Sequence, residues 1–144
     1  MKIAICGSLT FYQKMREAEH ALVALGHTPL VPKSLDLIDK KGFTKPVTVA
    51  ERLAAEMQYD FIREHFRKIE SADAVLVVNP SKNGIDGYIG GNTFLEMGIG
   101  FYLGKKLYVL YALPHMGYEL ELASMRPTVV GGLANLSIIG AEGV

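Results

Sequence analysis

One acidic residue, Glu96, lies in a glycine-rich stretch at residues 83–106, three positions after Thr93. Apolar runs typical of buried strands stand on either side of this stretch, at residues 74–78 and 107–111. A carboxylate between a glycine-rich loop and a helix start can act as a nucleophile, because the helix dipole favours its ionised form and the missing side chains admit a substrate. The Thr-x-x-Glu spacing equally matches a capping box, in which Glu96 would only stabilise its own helix. The pattern alone leaves both interpretations open.

Two turns carry small and polar residues that could contact a ligand. These residues are Gly7, Ser8, Thr10, Gly90, Gly91, Asn92 and Thr93. The first turn follows a predicted strand, where its hydroxyls could bind a phosphate or a sugar, or could simply cap the next helix. The second turn begins a helix, whose free N–H groups bind anions or hydroxyls unless the glycines serve only the turn.

Three further side chains could move a proton near Glu96. His65 falls on the apolar stripe of a predicted helix, where a proton donor and a buried structural histidine are both consistent with the pattern. Asp86 and Tyr88 precede Glu96 in the loop and could orient a substrate or protonate a leaving base. Solvation of an exposed loop is the alternative explanation for both of them.

The composition predicts one globular domain that spans residues 1–144. Fifteen basic and fifteen acidic residues give a formal net charge of zero, which favours neither a nucleic-acid polymer nor an anionic membrane as a partner. A single cysteine, Cys6, excludes an internal disulfide and is consistent with a cytoplasmic location. The first residues do not form a signal-peptide pattern, and no apolar run approaches the ~20 residues that span a bilayer.

The sequence contains no motif for a common cofactor. It has no His-Glu-x-x-His motif, and one cysteine cannot build a thiolate site, so no metal is predicted. No P-loop lysine motif is present, and no Gly-x-Gly-x-x-Gly follows the first apolar run. These patterns argue against an NTPase and against a dinucleotide-dependent enzyme.

Apolar runs alternate with helical patterns along the chain. Strands are predicted at residues 2–6, 28–31, 74–79 and 107–111, with an edge strand at 128–130. Helices are predicted at residues 11–25, 48–69, 93–103 and 118–125, with an exposed loop at 33–47 and no assigned element at 135–144. In the long second helix, Leu53, Met57, Phe61 and Ile69 are expected to face inward. The alternation predicts an α/β fold, a Rossmann-like three-layer sandwich with a parallel sheet of about five strands and helices on both faces.

In the order and spacing of four segments, the chain resembles the nucleoside 2-deoxyribosyltransferase superfamily, which includes deoxynucleoside monophosphate N-glycosidases. The segments are Ile-Cys-Gly-Ser at 5–8, the helix-to-strand passage at 69–78, Glu-x-Gly at 96–98 with Leu-Gly-Lys-Lys at 103–106, and Ala-Ser-Met at 123–125. The resemblance covers most of residues 2–130. It implies that Glu96 is the catalytic glutamate and that the Gly7–Ser8 turn meets the sugar or phosphate of a nucleotide.

The resemblance also implies a reaction. Glu96 would attack the anomeric carbon of a nucleoside or nucleotide and form a glycosyl ester, and water or a second base would then take the sugar. Asp86, His65 or Tyr88 would assist the leaving base. No cofactor or metal would be needed, and the only partner besides this small molecule would be a second copy, in a homodimer or higher homo-oligomer. Met125 would then reach into a neighbouring subunit's site.

Two features depart from the superfamily pattern. His65 stands where the superfamily has an aspartate, and the loop before Glu96 is longer. One alternative is a cytokinin-activating-type nucleoside monophosphate phosphoribohydrolase, whose motif residues 92–96 partly match, although no proline precedes Gly90 and no arginine lies within residues 74–104. A second alternative is a non-catalytic nucleotide-binding or sensor domain, in which Glu96 would be only a cap or a hydroxyl ligand.

Overall fold

Five short strands form one parallel sheet in the computed structural model, which describes residues 1–141. The strands are β1 (Lys2–Cys6), β2 (Thr28–Leu30), β3 (Ala74–Val77), β4 (Lys106–Val109) and β5 (Thr128–Val129). Their order in the sheet is β2-β1-β3-β4-β5, and each neighbouring pair is parallel. The predicted α/β fold with a five-stranded parallel sheet is therefore confirmed, including the edge position of the fifth strand.

Helices cover both faces of this sheet. They are α1 (Tyr12–Ala24), α2 (Lys33–Ile38), α3 (Val49–Tyr59), α4 (Phe61–Ser71), α5 (Gly91–Tyr102) and α6 (Glu119–Ser124), with 3₁₀ segments at Leu9–Phe11 and Leu133–Ile138. Because strand side chains alternate between faces, Ile3 and Ile5 of β1 pack in one buried cluster, and Ala4 and Cys6 pack in another. The first cluster includes side chains of α1, and the second includes side chains of α4, α5 and α6.

No helix within residues 1–141 combines the length and the apolar character that crossing a bilayer requires.

The prediction of an exposed loop at residues 33–47 is wrong for its first part. This part forms α2, in which Leu35 and Leu37 are buried. Arg16 of α1 links α2 to α1, because its guanidinium donates to the Leu35 carbonyl oxygen and pairs with Asp36 and Asp39. The polar composition concealed two buried leucines, and their burial outweighs a weak intrinsic preference for helix.

The prediction of one helix at residues 48–69 is also wrong. Asp60 adopts a left-handed conformation, with φ 52° and ψ 49°, and it ends α3 and precedes α4. The turn changes the direction of the chain, so the inward stripe does not continue through both helices. His65 and Ile69 of α4 are buried as expected, whereas Leu53 and Met57 of α3 are 60% and 80% exposed.

The loop between β3 and α5, residues 78–90, is anchored by a buried amide. Asn79 is fully buried, and its Nδ2 donates to the carbonyl oxygens of Gly87 and Tyr111, at 3.3 and 3.1 Å. Its Oδ1 accepts from the backbone N–H of Tyr111 at 2.9 Å. These bonds join the loop to the segment just after β4, so the loop is held against the carboxyl end of the sheet.

We expect Gly87→Ala to destabilise the fold far more than Gly84→Ala. Both glycines have positive φ, +72° and +75°, but a Cβ at Gly87 would lie 2.2 Å from the Ala112 carbonyl oxygen, whereas one at Gly84 meets nothing within 4 Å. Urea denaturation should show a loss of about 1 kcal/mol for Gly84→Ala from backbone strain alone, and about 3 kcal/mol or more for Gly87→Ala. Equal losses would contradict the close approach of the loop to Ala112.

Candidate active site

A cavity of about 640 Å³ opens beyond the carboxyl ends of β1, β2 and β3. Its wall includes the turns after these strands, parts of α3 and α4, and the first two turns of α5. The predicted site residues that line it are Gly7, Ser8, Thr10, His65, Tyr88, Gly90, Gly91, Asn92, Thr93 and Glu96. The strand order reverses between β1 and β3, and open α/β sheets bind ligands at such a switch point.

Glu96 does not cap its own helix. Helix α5 begins at Gly91 with Gly90 as its N-cap, so Glu96 lies in the second turn rather than at the capping-box position. Thr93, the other residue of the proposed box, is buried in the first turn of α5 and is not the N-cap. The capping-box interpretation is therefore wrong, because the glycine pair starts the helix before Thr93.

The Glu96 carboxyl group meets Cys6 of β1 and His65 of α4. Their side-chain ligand atoms, the Cys6 sulfur, a His65 nitrogen and a Glu96 oxygen, all lie within 4.8 Å of one another. His65 Nε2 is 3.4 Å from Cys6 Sγ and 4.0 Å from Glu96 Oε2. Residues distant in the sequence thus form one cluster beside the cavity, which only the sheet and its two covering helices bring together.

This cluster is electrically neutral at pH 7. Burial is the main cause that raises the pKa of Glu96 to about 8. The hydrogen bond with the Cys6 thiol lowers this pKa, and the charge of Glu56 raises it further. Burial raises the pKa of the Cys6 thiol well above its usual value, and the neighbouring Glu96 adds to this effect. The prediction that the helix dipole keeps Glu96 ionised is wrong, because burial dominates and the side chain lies past the first turn.

His65 is uncharged and its ring is fixed. Its Nε2 lies 2.9 Å from the Ile5 carbonyl oxygen, so this nitrogen carries the proton and donates. Burial, with the positive charge of Lys68, lowers the pKa of His65 to about 4, although the Ile5 carbonyl and Glu64 oppose the change. Within residues 1–141, the bare Nδ1 is buried without a hydrogen-bond partner. This geometry suits a role for His65 in positioning Cys6 and Glu96 better than it suits a role as proton donor.

The same three atoms have the spacing of a metal site, since a thiolate, an imidazole and a carboxylate could share one ion. A metal would need the Nε2 lone pair, but this nitrogen faces the Ile5 carbonyl oxygen and therefore carries a proton. A metal would also need a thiolate, whereas burial favours the Cys6 thiol. The donor set therefore fits a hydrogen-bonded neutral cluster better than a metal centre.

No protein-family model and no curated protein matches this sequence. Among solved structures, the chain is similar to a 2-deoxyribosyltransferase from Bacillus psychrosaccharolyticus, with a TM-score of 0.62 and 17% identity over 95% of this chain and 90% of that one. It is also similar to the CMP N-glycosidase BcmB of Clostridium botulinum, with a TM-score of 0.50 and 13% identity over 98% of both chains. The chain has the nucleoside 2-deoxyribosyltransferase fold. The fold that the sequence resemblance implied is confirmed.

Two predicted site residues lie outside the cavity of this deoxyribosyltransferase-like fold. Asp86 is exposed in the β3–α5 loop, and its Oδ1 accepts a 2.6 Å hydrogen bond from Ser81. Met125 lies in a separate apolar groove with Phe66 and Phe94. The contact of Met125 with a neighbouring subunit stays a prediction, as does the homo-oligomer itself.

Charged residues that sequence reasoning missed also line the cavity of this fold. They are Lys33, Lys45, Arg52, Glu56 and Lys82. Lys82 follows β3 by five residues, so its position at the carboxyl end of a buried strand was a usable signal. The other four come from the segment after β2 and from α3. Three of them, Lys33, Lys45 and Arg52, are basic, and this shared charge could have been read as a sign that they form a wall of the site.

Proposed function

We propose that this protein is an enzyme that cleaves or exchanges the N-glycosidic bond of a (deoxy)nucleoside or nucleotide, with Glu96 as the nucleophile. The observation that carries the proposal is the Glu96 carboxyl group, which lines the cavity at the switch point of the sheet. Within residues 1–141 this carboxyl group pairs with no lysine or arginine and caps no helix. The similar transferase and CMP N-glycosidase, whose reactions belong to this class, support the assignment.

The proposed reaction has two displacements. A Glu96 carboxylate oxygen bonds to the anomeric carbon, and the bond from this carbon to the base nitrogen breaks. The electron pair stays on the nitrogen, which takes a proton as the base leaves. In the second step, an oxygen of water or a nitrogen of another base attacks the same carbon, loses its proton and frees the Glu96 carboxylate. Water makes the enzyme a hydrolase, and a second base makes it a transferase.

Tyr88 is the best placed of the three predicted groups to help the base leave. It lines the cavity, whereas Asp86 does not, and the ring proton of His65 is donated to the Ile5 carbonyl oxygen. A hydroxyl that faces the leaving base could stabilise the nitrogen as the C–N bond breaks. We therefore assign Tyr88 to the leaving-group side of the proposed reaction and give His65 a positioning role.

The test is a panel of ribo- and deoxynucleosides and their 5′-monophosphates, each incubated with and without a second free base. Chromatography would show released base for a hydrolase and a new nucleoside for a transferase. Base released only from ribonucleotides would be consistent with the phosphoribohydrolase alternative as well as with a hydrolase such as the similar CMP N-glycosidase. Absence of any release, together with measurable ligand binding, would overturn the proposal in favour of a binding domain, in which the protonated Glu96 donates a hydrogen bond to a sugar hydroxyl.

The rate should rise with pH, because the nucleophile must be ionised and the pKa of Glu96 in the folded, unliganded protein is about 8. We expect kcat/KM for base release to increase about tenfold per pH unit from pH 6 and to level off near pH 8. In Glu56→Gln the curve should shift to lower pH, since the Glu56 charge raises the pKa of Glu96. A profile that is flat from pH 6 to 8, or one that Glu56→Gln leaves in place, would contradict the assignment.

A further inference from the structure

The cavity concentrates positive charge in a protein whose net charge is zero. The formal net charge of the chain is zero. Nevertheless, the cationic side chains Lys33, Lys45, Arg52 and Lys82 line the cavity. The acidic side chains that face them are Glu56 and Glu96, and Glu96 is protonated at neutral pH. The excess of positive charge favours an anionic ligand at this site.

Within this set, Lys82 is held in place without being neutralised. Its Nζ lies 3.3 Å from Ser8 Oγ and 5.1 Å from the centre of the Tyr88 ring. Among residues 1–141, no carboxylate forms an ion pair with Lys82, Lys45 or Arg52, although arginine and lysine pairs occur elsewhere on the molecule. An ammonium group has three N–H donors, so two remain for a ligand after the contact with Ser8.

The Ser8 hydroxyl is left with a free donor. Its oxygen accepts from Lys82 Nζ and, at 3.4 Å, from the backbone N–H of Thr10. A hydroxyl oxygen has two acceptor sites and one O–H, so these two contacts occupy the acceptor sites and leave the hydrogen to donate. Ser8 and Lys82 thus present O–H and N–H donors side by side at the cavity wall.

We propose that Lys82 and Ser8 form a subsite for the 5′-phosphate, so that the substrate class is a nucleoside monophosphate rather than a free nucleoside. Adjacent N–H and O–H donors with a positive charge match a phosphate, which accepts several charge-assisted hydrogen bonds at once. Lys45 and Arg52, from the segment before α3 and from α3 itself, add to the positive field of the cavity. The inference rests on the proposed function for its substrate, but phosphate binding can be measured without turnover.

The experiment measures binding to Glu96→Gln protein, in which turnover is removed. Calorimetric titrations would compare the common deoxynucleosides, their 5′-monophosphates and inorganic phosphate. The same titrations would use Lys82→Gln and a matched control, Lys41→Gln, each in the Glu96→Gln background. Lys41 is exposed and lies outside the cavity lining. The Lys82 backbone keeps its hydrogen bonds to Ile85 in the variant, so the loop should keep its structure.

We expect at least one monophosphate to bind about tenfold or more tightly than its nucleoside, with weaker binding as salt increases. Lys82→Gln should weaken the binding of that monophosphate by about 10- to 100-fold and leave the affinity for the nucleoside unchanged. Lys41→Gln should change neither affinity by more than about twofold. Inorganic phosphate should compete with the monophosphate but not with the nucleoside. The proposed subsite would be overturned if every nucleoside bound as tightly as its 5′-monophosphate, if the preference for the monophosphate survived Lys82→Gln, or if no ligand bound at all.

This result and the test of the proposed function can fail independently. A monophosphate preference that depends on Lys82, in a protein whose wild type releases no base, would keep the subsite and reject the enzyme. Base release by the wild type, with equal kcat/KM for nucleosides and monophosphates and no effect of Lys82→Gln, would keep the enzyme and reject the subsite.

Discussion

Glu96→Gln should release base from the best substrate of the panel at least ~10³-fold more slowly than the wild type. An amide cannot form the glycosyl ester, so the first displacement is lost. The substitution is nearly isosteric, and the side chain should keep its place between Cys6 and His65. Initial rates at pH 8, at saturating substrate and at low substrate, would show whether kcat and kcat/KM both fall.

The matched control is Glu70→Gln, which makes the same chemical change at an exposed position of α4 outside the cavity. Its activity should stay within about twofold of the wild type. Retention of more than about a tenth of the activity by Glu96→Gln would contradict the nucleophile assignment. A parallel loss in Glu70→Gln would show that the assay reports something other than this carboxyl group.

The second large effect is on stability. The pKa of Glu96 is about 8 in the folded protein against 4.5 for the free side chain, so the folded state binds the proton more tightly. Stability from this group is complete below pH 4.5 and is lost as the pH rises toward 8. At 1.36 kcal/mol per pKa unit, the wild type should lose about 2 kcal/mol of unfolding free energy between pH 6.5 and pH 8.5.

His65 has the opposite linkage at lower pH. Its pKa is about 4 in the folded protein against 6.5 for the free side chain, so the folded state resists protonation. The contribution of His65 to the stability of the protein is lost as the pH falls from 6.5 toward 4. Between pH 4.5 and pH 6.5 this loss nearly cancels the gain from Glu96, and this pair of residues should give a plateau of stability in that range.

Urea denaturation at pH 5.5, 6.5, 7.5 and 8.5 would check both linkages. The unfolding free energy of the wild type should be constant from pH 5.5 to 6.5 and should then decrease, whereas that of Glu96→Gln should fall little up to pH 8.5. Above pH 7.5 the variant should be the more stable protein, because it never has to bury a charge. An equal slope in both proteins would mean that Glu96 ionises as easily when folded as when unfolded.

The sequence predicted the sheet well, and most of the predicted site residues line one cavity, because both depend on local patterns. The buried runs at β1, β3 and β4 are short, continuous and apolar, and glycines and polar residues mark their carboxyl ends. The helix predicted from residue 48 begins there, because Thr48 is the N-cap of α3 and its Oγ1 accepts from the Glu51 backbone N–H. Such local signals were enough to assign Gly7, Ser8 and Glu96 to one end of the sheet.

Other features arise from contacts that no local pattern encodes. The left-handed turn at Asp60 divides a stretch whose composition is helical throughout, and it exposes Leu53 and Met57. The protonation of Glu96 depends on burial between a strand and a helix that lie 90 and 31 residues before it, at Cys6 and His65. A motif shows that a carboxylate is present, but only its surroundings decide whether it is charged.

The charged wall of the cavity shows the same limit. Lys82 and Arg52 are 30 residues apart in the sequence and face one cavity from different elements. Lys82 could be suspected from its place after a buried strand, but Arg52 looks like an ordinary surface residue when the sequence is read in order. The departure from the superfamily pattern at His65 has a physical meaning only in the structure, where its Nε2 donates to the Ile5 carbonyl oxygen beside Cys6.

The most direct test of the central claim is to trap the covalent intermediate. The wild type would be mixed with its best substrate, quenched in acid within one turnover, digested and analysed by mass spectrometry. We predict a mass increase equal to the transferred glycosyl group on the peptide that contains Glu96, and no such increase in Glu96→Gln. A glycosyl group on any other residue, or rapid base release by Glu96→Gln, would contradict the claim that this carboxyl group attacks the sugar.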